Sequence, residues 1–477
     1  AALAAGGWGL FSFLSGGGAA PATAIPSTAV GYVSIDLDPS AGQKIEALRT
    51  LRRFPGLAKS LNIGNRGDLK RWFFDQVQKG GECPGVTYDR DIAPWIGNRI
   101  AAAAVPSGSN AVIPVVAVQV SDRTAASKGV SALDGCDHGA DHVGVAFVGD
   151  YLLLSDNQQH ATTVAADVAA GSLQDDPNFQ KWTSSVGGPG VLTAYVAPGA
   201  ERLLADKLGS MTNGSDAQLL KAYRTFKGGA AVLRFHDGTI EVESAMGTTA
   251  GTTSSHPADV TRLPASTAVA IGAGLSDDWA RTSLRRLRHA GGSNAIINKT
   301  IHGIEAQTGL SIPADVQALF GNAVTLSVDS SANLGSLGPH TDPSSLPVGL
   351  RITGDPARIL PPLAKVQRLL PPGERLAVRR GDGVVAVGLD PGYVGTLAGS
   401  GSLGQDPTFI SVVPNAAAAS SVFYVNFDAS HWVDRLARSL SHGDPDVMSN
   451  LAPLHALGFS AWSDQGTQHS LFRLSTD

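Results

Sequence analysis

The sequence predicts an α+β fold made of two tandem homologous repeats, each a mostly antiparallel sheet with helices packed on it. Three observations carry this. A series of landmarks from residues 27–239 recurs in the same order in residues 266–467, at offsets that stay between 224 and 239. Short apolar runs are joined through Asp/Gly turns, the signature of hairpins. Helical patterns are inserted between the strands singly or in pairs rather than after every strand, which argues against a parallel βαβ sheet.

The landmarks are short but collinear. Ser27-Thr28-Ala29-Val30 is echoed by Ser266-Thr267-Ala268-Val269, each just after a proline. Asp91-Ile-Ala-Pro-Trp-Ile-Gly-Asn98 is echoed by Asp315-Val-Gln-Ala-Leu-Phe-Gly-Asn322. Pro114 to Asp122 matches Pro347 to Asp355, and Leu173 to Phe179 matches Leu403 to Phe409. Tyr195-Val196 and Gly238-Thr239 return as Tyr424-Val425 and Gly466-Thr467. The Thr/Ser/Gly-rich stretch 248–258 is the expected boundary, giving repeats over 25–255 and 256–477.

Within a repeat the elements follow from periodicity. Val30 to Leu37 is a strand, and Asp38-Pro39-Ser40 starts a helix carrying Ile45, Leu48 and Leu51. Leu69, Trp72, Phe73 and Val77 form one face of a second helix. Arg99–Val105 and Val112–Val120 are strands, the latter with a proline that must sit at an edge or a strand's start. A helix over 123–133 leads to a hairpin turning at Gly149-Asp150, with a counterpart turning at Gly381-Asp382-Gly383. Asp176 and Asp406 read as N-caps, followed by Pro177 and Pro407 at N1, where a missing N–H costs nothing, and by inward Phe179 and Phe409. The first repeat closes on a hairpin through His236-Asp237-Gly238.

The bulk numbers exclude some functions. With 43% hydrophobic and 16% charged residues the chain is no disordered polyelectrolyte, and a net charge of −5 without a long basic run argues against nucleic acid as a partner. The densest basic stretch, Arg285 to Arg288, reads as a solvated helix face. Residues 1–14 are uncharged and apolar or small, and a Gly/Ala/Pro/Ser linker follows to residue 24. This segment reads as the outer end of a membrane anchor, cut short here, or as the apolar region of a signal peptide. Either reading puts the rest of the chain outside the cytoplasm, and the anchor reading tethers it to the membrane by a single N-terminal helix. There the only two cysteines, Cys83 and Cys136, can form a disulfide; two buried thiols are the alternative. Closing a loop of that length would stabilise by roughly 4 kcal/mol on the chain-entropy account.

The start PSTAVGYVSIDLDPSAGQK, the helix IEALRTLRRFP, the signal DIAPWIGNR and the hairpin FVGDYLLLSD resemble the DUF3352 proteins of actinobacteria, from about Ile25 to the C-terminus and most strongly in the first repeat. The resemblance implies a membrane-anchored protein facing outward from the cell and brings no catalytic residues with it.

Chemistry-bearing constellations are sparse. Cys136-Asp137-His138-Gly-Ala-Asp141-His142 sets two histidines four apart beside carboxylates, so His138, His142 and Asp137 are weak metal-ligand candidates; the favoured reading is a polar loop between helix and strand, and no metal is expected. Gly399 to Gly404 matches G-x-G-x-x-G but stands before a capped helix rather than between a parallel strand and a helix, so it reads as a linker. Asp36, Asp38, Asp277 and Asp278 read as caps and first-turn acids. No nucleophile elbow, P-loop or H-E-x-x-H occurs, and no cofactor is expected. Of the aromatic anchors, which include Trp182 and Trp432, the residues Tyr32, Trp72 and Trp95 are the candidates to line a ligand groove. The expected function is a non-catalytic envelope protein binding a lipid-like or polymeric ligand or a partner protein. The rivals are an extracytoplasmic hydrolase with dispersed residues and a structural spacer.

Overall fold

The computed structural model describes residues 19–37, 41–54, 85–108, 111–134, 142–188, 190–200, 225–248, 256–289, 294–332, 343–371, 374–433 and 444–476, with residues 56, 70, 71, 74, 75, 83, 437 and 438 between them. The chain divides into two compact units at Ala250/Gly251. Among the described residues the fold is α+β, with eleven α-helices and sixteen strands, and every strand pairing described is antiparallel.

In the first unit the strands are β1 (Gly31–Asp36), β2 (Ile96–Ser107), β3 (Ala111–Val120), β4 (Gly144–Val148), β5 (Tyr151–Ser155), β6 (Leu192–Val196), β7 (Phe226–His236) and β8 (Thr239–Thr248). Their spatial order is β8-β7-β6-β1-β2-β3-β5-β4. The helices are α1 (Ala41–Arg53), α2 (Arg123–Asp134), α3 (Gln158–Ala170) and α4 (Pro177–Ser184). The second unit has β9 (Thr267–Gly274), β10 (Ala323–Asp329), β11 (Val348–Thr353), β12 (Ala377–Gly381), β13 (Val384–Gly388), β14 (Ser421–Asn426), β15 (Ala456–Asp464) and β16 (Thr467–Ser475). Its helices are α5 (Trp279–His289), α6 (Asn294–Thr308), α7 (Ala314–Phe320), α8 (Pro356–Gln367), α9 (Pro391–Leu397), α10 (Pro407–Val412) and α11 (Pro445–Leu451). Its order, β16-β15-β14-β9-β10-β11-β13-β12, is the order of the first unit strand for strand.

Local chemistry accounts for the elements. Asp176 and Asp406 accept from the Phe179 and Phe409 amides at 2.8 and 2.9 Å, so both Asp-Pro-x-Phe signals are capped helix starts. The β7–β8 turn uses positive φ at Asp237 (45°) and Gly238 (69°), which the twist of a tight hairpin requires. Pro114 pairs with Ala104 on β2, and the β5 ladder begins only at Val115, so the proline stands at a local edge.

Pairing registers also match positions between units without reference to residue identity. Gly31 pairs with Val196, and Val269 pairs with Val425, so Val269 stands where Gly31 does, not where Val30 does. The Ser-Thr-Ala-Val echo is therefore one residue out of step with the fold. The same single step separates Pro114, which pairs with Ala104, from Pro347, which precedes Val348 opposite Val328. In a strand one step exchanges the two faces. Tyr32 therefore shares its place with Ala270, and Val33 with Ile271.

Each sheet carries a dense core on one face. In the first unit it contains Tyr32, Ala101, Ala103, Tyr151, Phe179, Trp182 and Tyr195. In the second it contains Ala270, Tyr393, Phe409, Val412 and Tyr424. Phe179 stacks edge-on against Tyr195 at 5.1 Å and Phe409 against Tyr424 at 5.0 Å. The segment expected to be a linker is part of the first core at its far end. Pro21–Ala24 is a 3-10 turn with Ala22 and Ala24 buried, and the Tyr151 hydroxyl donates to the Ala19 carbonyl at 2.6 Å. Small apolar side chains fit under the sheet, and the turn satisfies its own backbone. Residues 1–18, the expected anchor, lie outside the described residues, as do Asp38 and Trp72. Among the described residues no helix is long and apolar enough to cross a membrane.

Candidate functional site

On the opposite face of the second unit's sheet the described residues form a core cluster at one end. In the second unit α7 and α8 pack over β11 and β13, burying Ile352, Ile359, Leu363, Val385 and Val387. The face then continues across β9, β14, β15 and β16 outside any core cluster formed by the described residues. There the register aligns Leu350, Leu326, Ile271, Phe423, Phe459 and Phe472 in one row across six strands. A neighbouring row holds Val348, Val328, Val269, Val425, Leu457 and Leu474. Ile271 is 46% exposed, and Phe423, Phe459 and Phe472 are half-buried. A half-open antiparallel sheet normally alternates apolar-in and polar-out, and this one is apolar on both faces. At about 4.8 Å per strand the first row runs for roughly 24 Å.

The basic helix α5 packs on α7, one of the helices over the covered end. Trp279 of α5 packs edge-on against Phe320 of α7 at 5.7 Å, and Gln317 of α7 accepts from the Ala280 amide at 3.0 Å. On α5 Arg285 donates to Thr282, and Arg288 donates to Asn298. Arg281 and Arg286 are exposed and carry no ion pair among the described residues. On α6 Ile296 and Ile304 are exposed one above the other, two turns apart.

The residues singled out in the sequence fall elsewhere. Tyr32 is 6% exposed and sits edge-on against Phe179 at 5.5 Å in the first core, its phenol pushed up to about 12 by burial. Trp95 is 4% exposed, donates through Nε1 to the Asp91 carbonyl and packs in the α2 cluster. Both are core residues, so neither can line an open groove. Trp72, Cys136, Asp137 and His138 lie outside the described residues. His142 is exposed and bonds Asp134 through Nδ1 at 2.9 Å, and the Asp134 carboxyl is held down chiefly by the Val143 amide and then by His142. That pairing occupies the Nδ1 of the histidine beside the end of α2. Among the described residues no cluster of three metal-ligating side chains occurs. Cys83 is buried.

The glycine-rich 399–404 stretch is a close backbone crossing. A Cβ on Gly401 would stand 2.2 Å from the Leu263 carbonyl, and the Gly401 amide donates to Arg262 at 2.8 Å. The resolved acid shifts are downward, each with a structural cause. Asp91, Asp156 and Asp315 are lowered first by Arg90, His160 and Lys365, and Glu305 by the Ile312 amide.

The aromatic row escaped the sequence reading. Its signal was present in Phe423-Tyr424: two adjacent aromatics in a strand must face opposite sides. Tyr424 is fully buried while Phe423 is not.

No protein-family model and no curated protein matches the chain. Among solved structures, crystal form I of TP0453 is similar over 50% of this chain and 82% of that one, at 11% identity and a TM-score of 0.26. Crystal form III of TP0453 is similar over 50% and 83%, at 11% identity and a TM-score of 0.25.

Proposed function

We propose that the chain is a non-catalytic, membrane-tethered envelope protein that binds a lipid-like amphiphile on the open face of its second unit. The observation that carries this reading is the half-exposed row Ile271, Phe423, Phe459 and Phe472, continuous with Leu326 and Leu350. Contiguous apolar surface of this kind in a folded domain marks a binding face. Its length of roughly 24 Å exceeds the roughly 15 Å spanned by the chains of one leaflet. Arg281 and Arg286, exposed and without an ion pair among the described residues, suit an anionic head group.

The tether, the outward location and the DUF3352 kinship belong to the same reading, supported by the resemblance and by the apolar residues 1–14. So does descent of the two units from one duplicated ancestor, supported by the shared strand order. A Cys83–Cys136 disulfide would accord with that location; thiols that alkylate without reduction would remove it.

The test is native mass spectrometry of the protein taken from its own membrane, together with titration of a fluorescent fatty acid. We expect a co-purifying amphiphile, and uptake of the probe that Phe459→Asp weakens at least tenfold while Ala231→Asp, at the matching place in the first unit, leaves it unchanged. A bare chain that takes up no probe overturns the proposal.

A further inference from the structure

On the core side of the second sheet, away from the apolar face, lies a cavity of about 320 Å³ lined by His256, Pro257, Asp259, Asn322, Ala323 and Thr353, with Thr261, Ala416 and Ala417. The first unit shows what fills this place there. Asp36 pairs with Arg99, and Gly274 pairs with Ala323, so the cavity stands where the first unit has a salt bridge. Tyr151 pairs with Gln119, and Val384 with Thr353, so a tyrosine is replaced by valine at the same place. In the first unit the Arg99 guanidinium is almost fully buried, donating to Asp36 at 3.3 Å and to the Ala19 carbonyl at 3.3 Å. Three large polar side chains have given way to Gly274, Ala323 and Val384. Gly274 cannot be refilled, because a Cβ there would meet the His256 carbonyl at 1.5 Å.

What lines the cavity is mostly acceptors. Asp259 is held at a positive φ of 53° and uses Oδ2 for both Arg351 (3.2 Å) and the Thr353 hydroxyl (2.7 Å). Its Oδ1 has no partner among the described residues. Neither the Asn322 side chain nor the Pro257 carbonyl, which stands where Ala19 does in the first unit, has one either. His256 meets Asp277 at 3.0 Å near the rim. Arg351 is buried beneath, its Nη1 donating to the Leu397 and Gly399 carbonyls. Asp259 is the one carboxylate in the lining, and its free oxygen faces the cavity on the side away from Arg351's bond to Oδ2.

We propose that this cavity binds a guanidinium group carried by a ligand, occupying the place that Arg99 holds in the first unit. A planar cation with several N–H donors satisfies the free carboxylate oxygen, the amide and the carbonyl together. A neutral polyol cannot make a charge-assisted bond to the free carboxylate oxygen, and a quaternary ammonium leaves the acceptors unbonded. The proposal is independent of the apolar face.

The experiment is titration of the full chain with methylguanidinium, followed by NMR shifts of the Asn322 and Thr353 amides. Tetramethylammonium and glycerol serve as controls, and agmatine and an arginine-containing tripeptide as extended probes. Saturable methylguanidinium binding is expected, with neither control binding. Asn322→Ala should weaken it about tenfold, the loss of one hydrogen bond to a charged group. Ala323→Arg should abolish it by filling the cavity from within. Because that arginine is introduced into a packed site, its fold is checked by calorimetry, and Asn322→Ala carries the test if it unfolds. Tighter agmatine binding would assign a small-molecule source, and tighter tripeptide binding an arginine side chain. No saturable binding, equal binding of tetramethylammonium, or an Asn322→Ala affinity equal to wild type overturns the proposal.

Discussion

The two units share a strand order and distribute bulk differently across the sheet. The first puts large side chains on its closed face: Tyr32 adds a third ring to Phe179 and Tyr195, and Arg99, Asp36 and Tyr151 fill the strand ends. Its open face is small at the matching places, Ala194, Ala231 and Ser244. The second unit has Ala270, Gly274 and Ala323 inside, and Phe423, Phe459 and Phe472 outside. The strand scaffold tolerates this because register and caps, rather than any one core side chain, define it. The lesson is that the first unit is built as a filled body and the second as one with two unfilled surfaces, and these are where ligand binding is sought.

The largest test of that contrast is in the cores. Phe179→Ala and Phe409→Ala should each cost about 3–5 kcal/mol, the range for deleting a buried aromatic. Phe179 contacts two rings and Phe409 one, so the first should cost more by about 0.5–1.5 kcal/mol. Hydrogen exchange at the Tyr195 and Tyr424 amides reads each unit separately. Equal losses would break the comparison. Putting the missing ring back, Ala270→Tyr, should destabilise instead, since the second core is already closed around a fully buried methyl.

A smaller effect tests sameness rather than difference. Asp176→Ala and Asp406→Ala each remove one cap bond of nearly identical length, so both should cost about 1 kcal/mol, within a few tenths of each other. Exchange rates in α4 and α10 would report it. Unequal costs would mean that the two helix starts are held by different surroundings despite the shared motif.

Much of this scaffold was legible in the sequence because it rests on local chemistry. A hairpin needs residues that accept positive φ, and a capped helix needs a carboxylate followed by proline, so Asp237-Gly238 and Asp406-Pro407 could be read directly. Register was not legible, because it depends on partners far along the chain. The Ser-Thr-Ala-Val echo matched letters one step out of phase, and that step decides which face a residue takes. The register also puts Tyr32, offered as a groove residue, on the closed face with Phe179 and Tyr195. The open face was missed for the same reason: whether Phe423 or Tyr424 is covered is settled by which side the helices occupy, a property of the assembled unit.

The smallest expected effect separates two aspartates that open the same signal. Asp91 accepts from the amide four residues earlier, Thr87, at 2.7 Å, and Asp315 does the same from Ser311 at 2.8 Å. Their cationic partners differ. Asp91 pairs with its neighbour Arg90, whereas Asp315 reaches Lys365 on α8 at 2.7 Å. Both carboxyls are lowered in the folded protein, so each stabilises at neutral pH and down to the ordinary aspartate value of 3.8, and the contribution is lost as pH falls through the lowered folded value. Lys365 ties α7 to α8 over the covered end of the apolar face, while Arg90 only closes its own turn. Asp315→Asn should therefore flatten the acid limb of the second unit's stability and loosen the α7–α8 amides, with Asp91→Asn changing the first unit's acid limb without touching any helix–helix contact. Hydrogen exchange between pH 5 and 3 distinguishes the two. If Asp315→Asn leaves α8 exchange unchanged across that range, the ion pair is a surface contact of no consequence, and the covered end of the face is held by Ile359 and Leu363 alone.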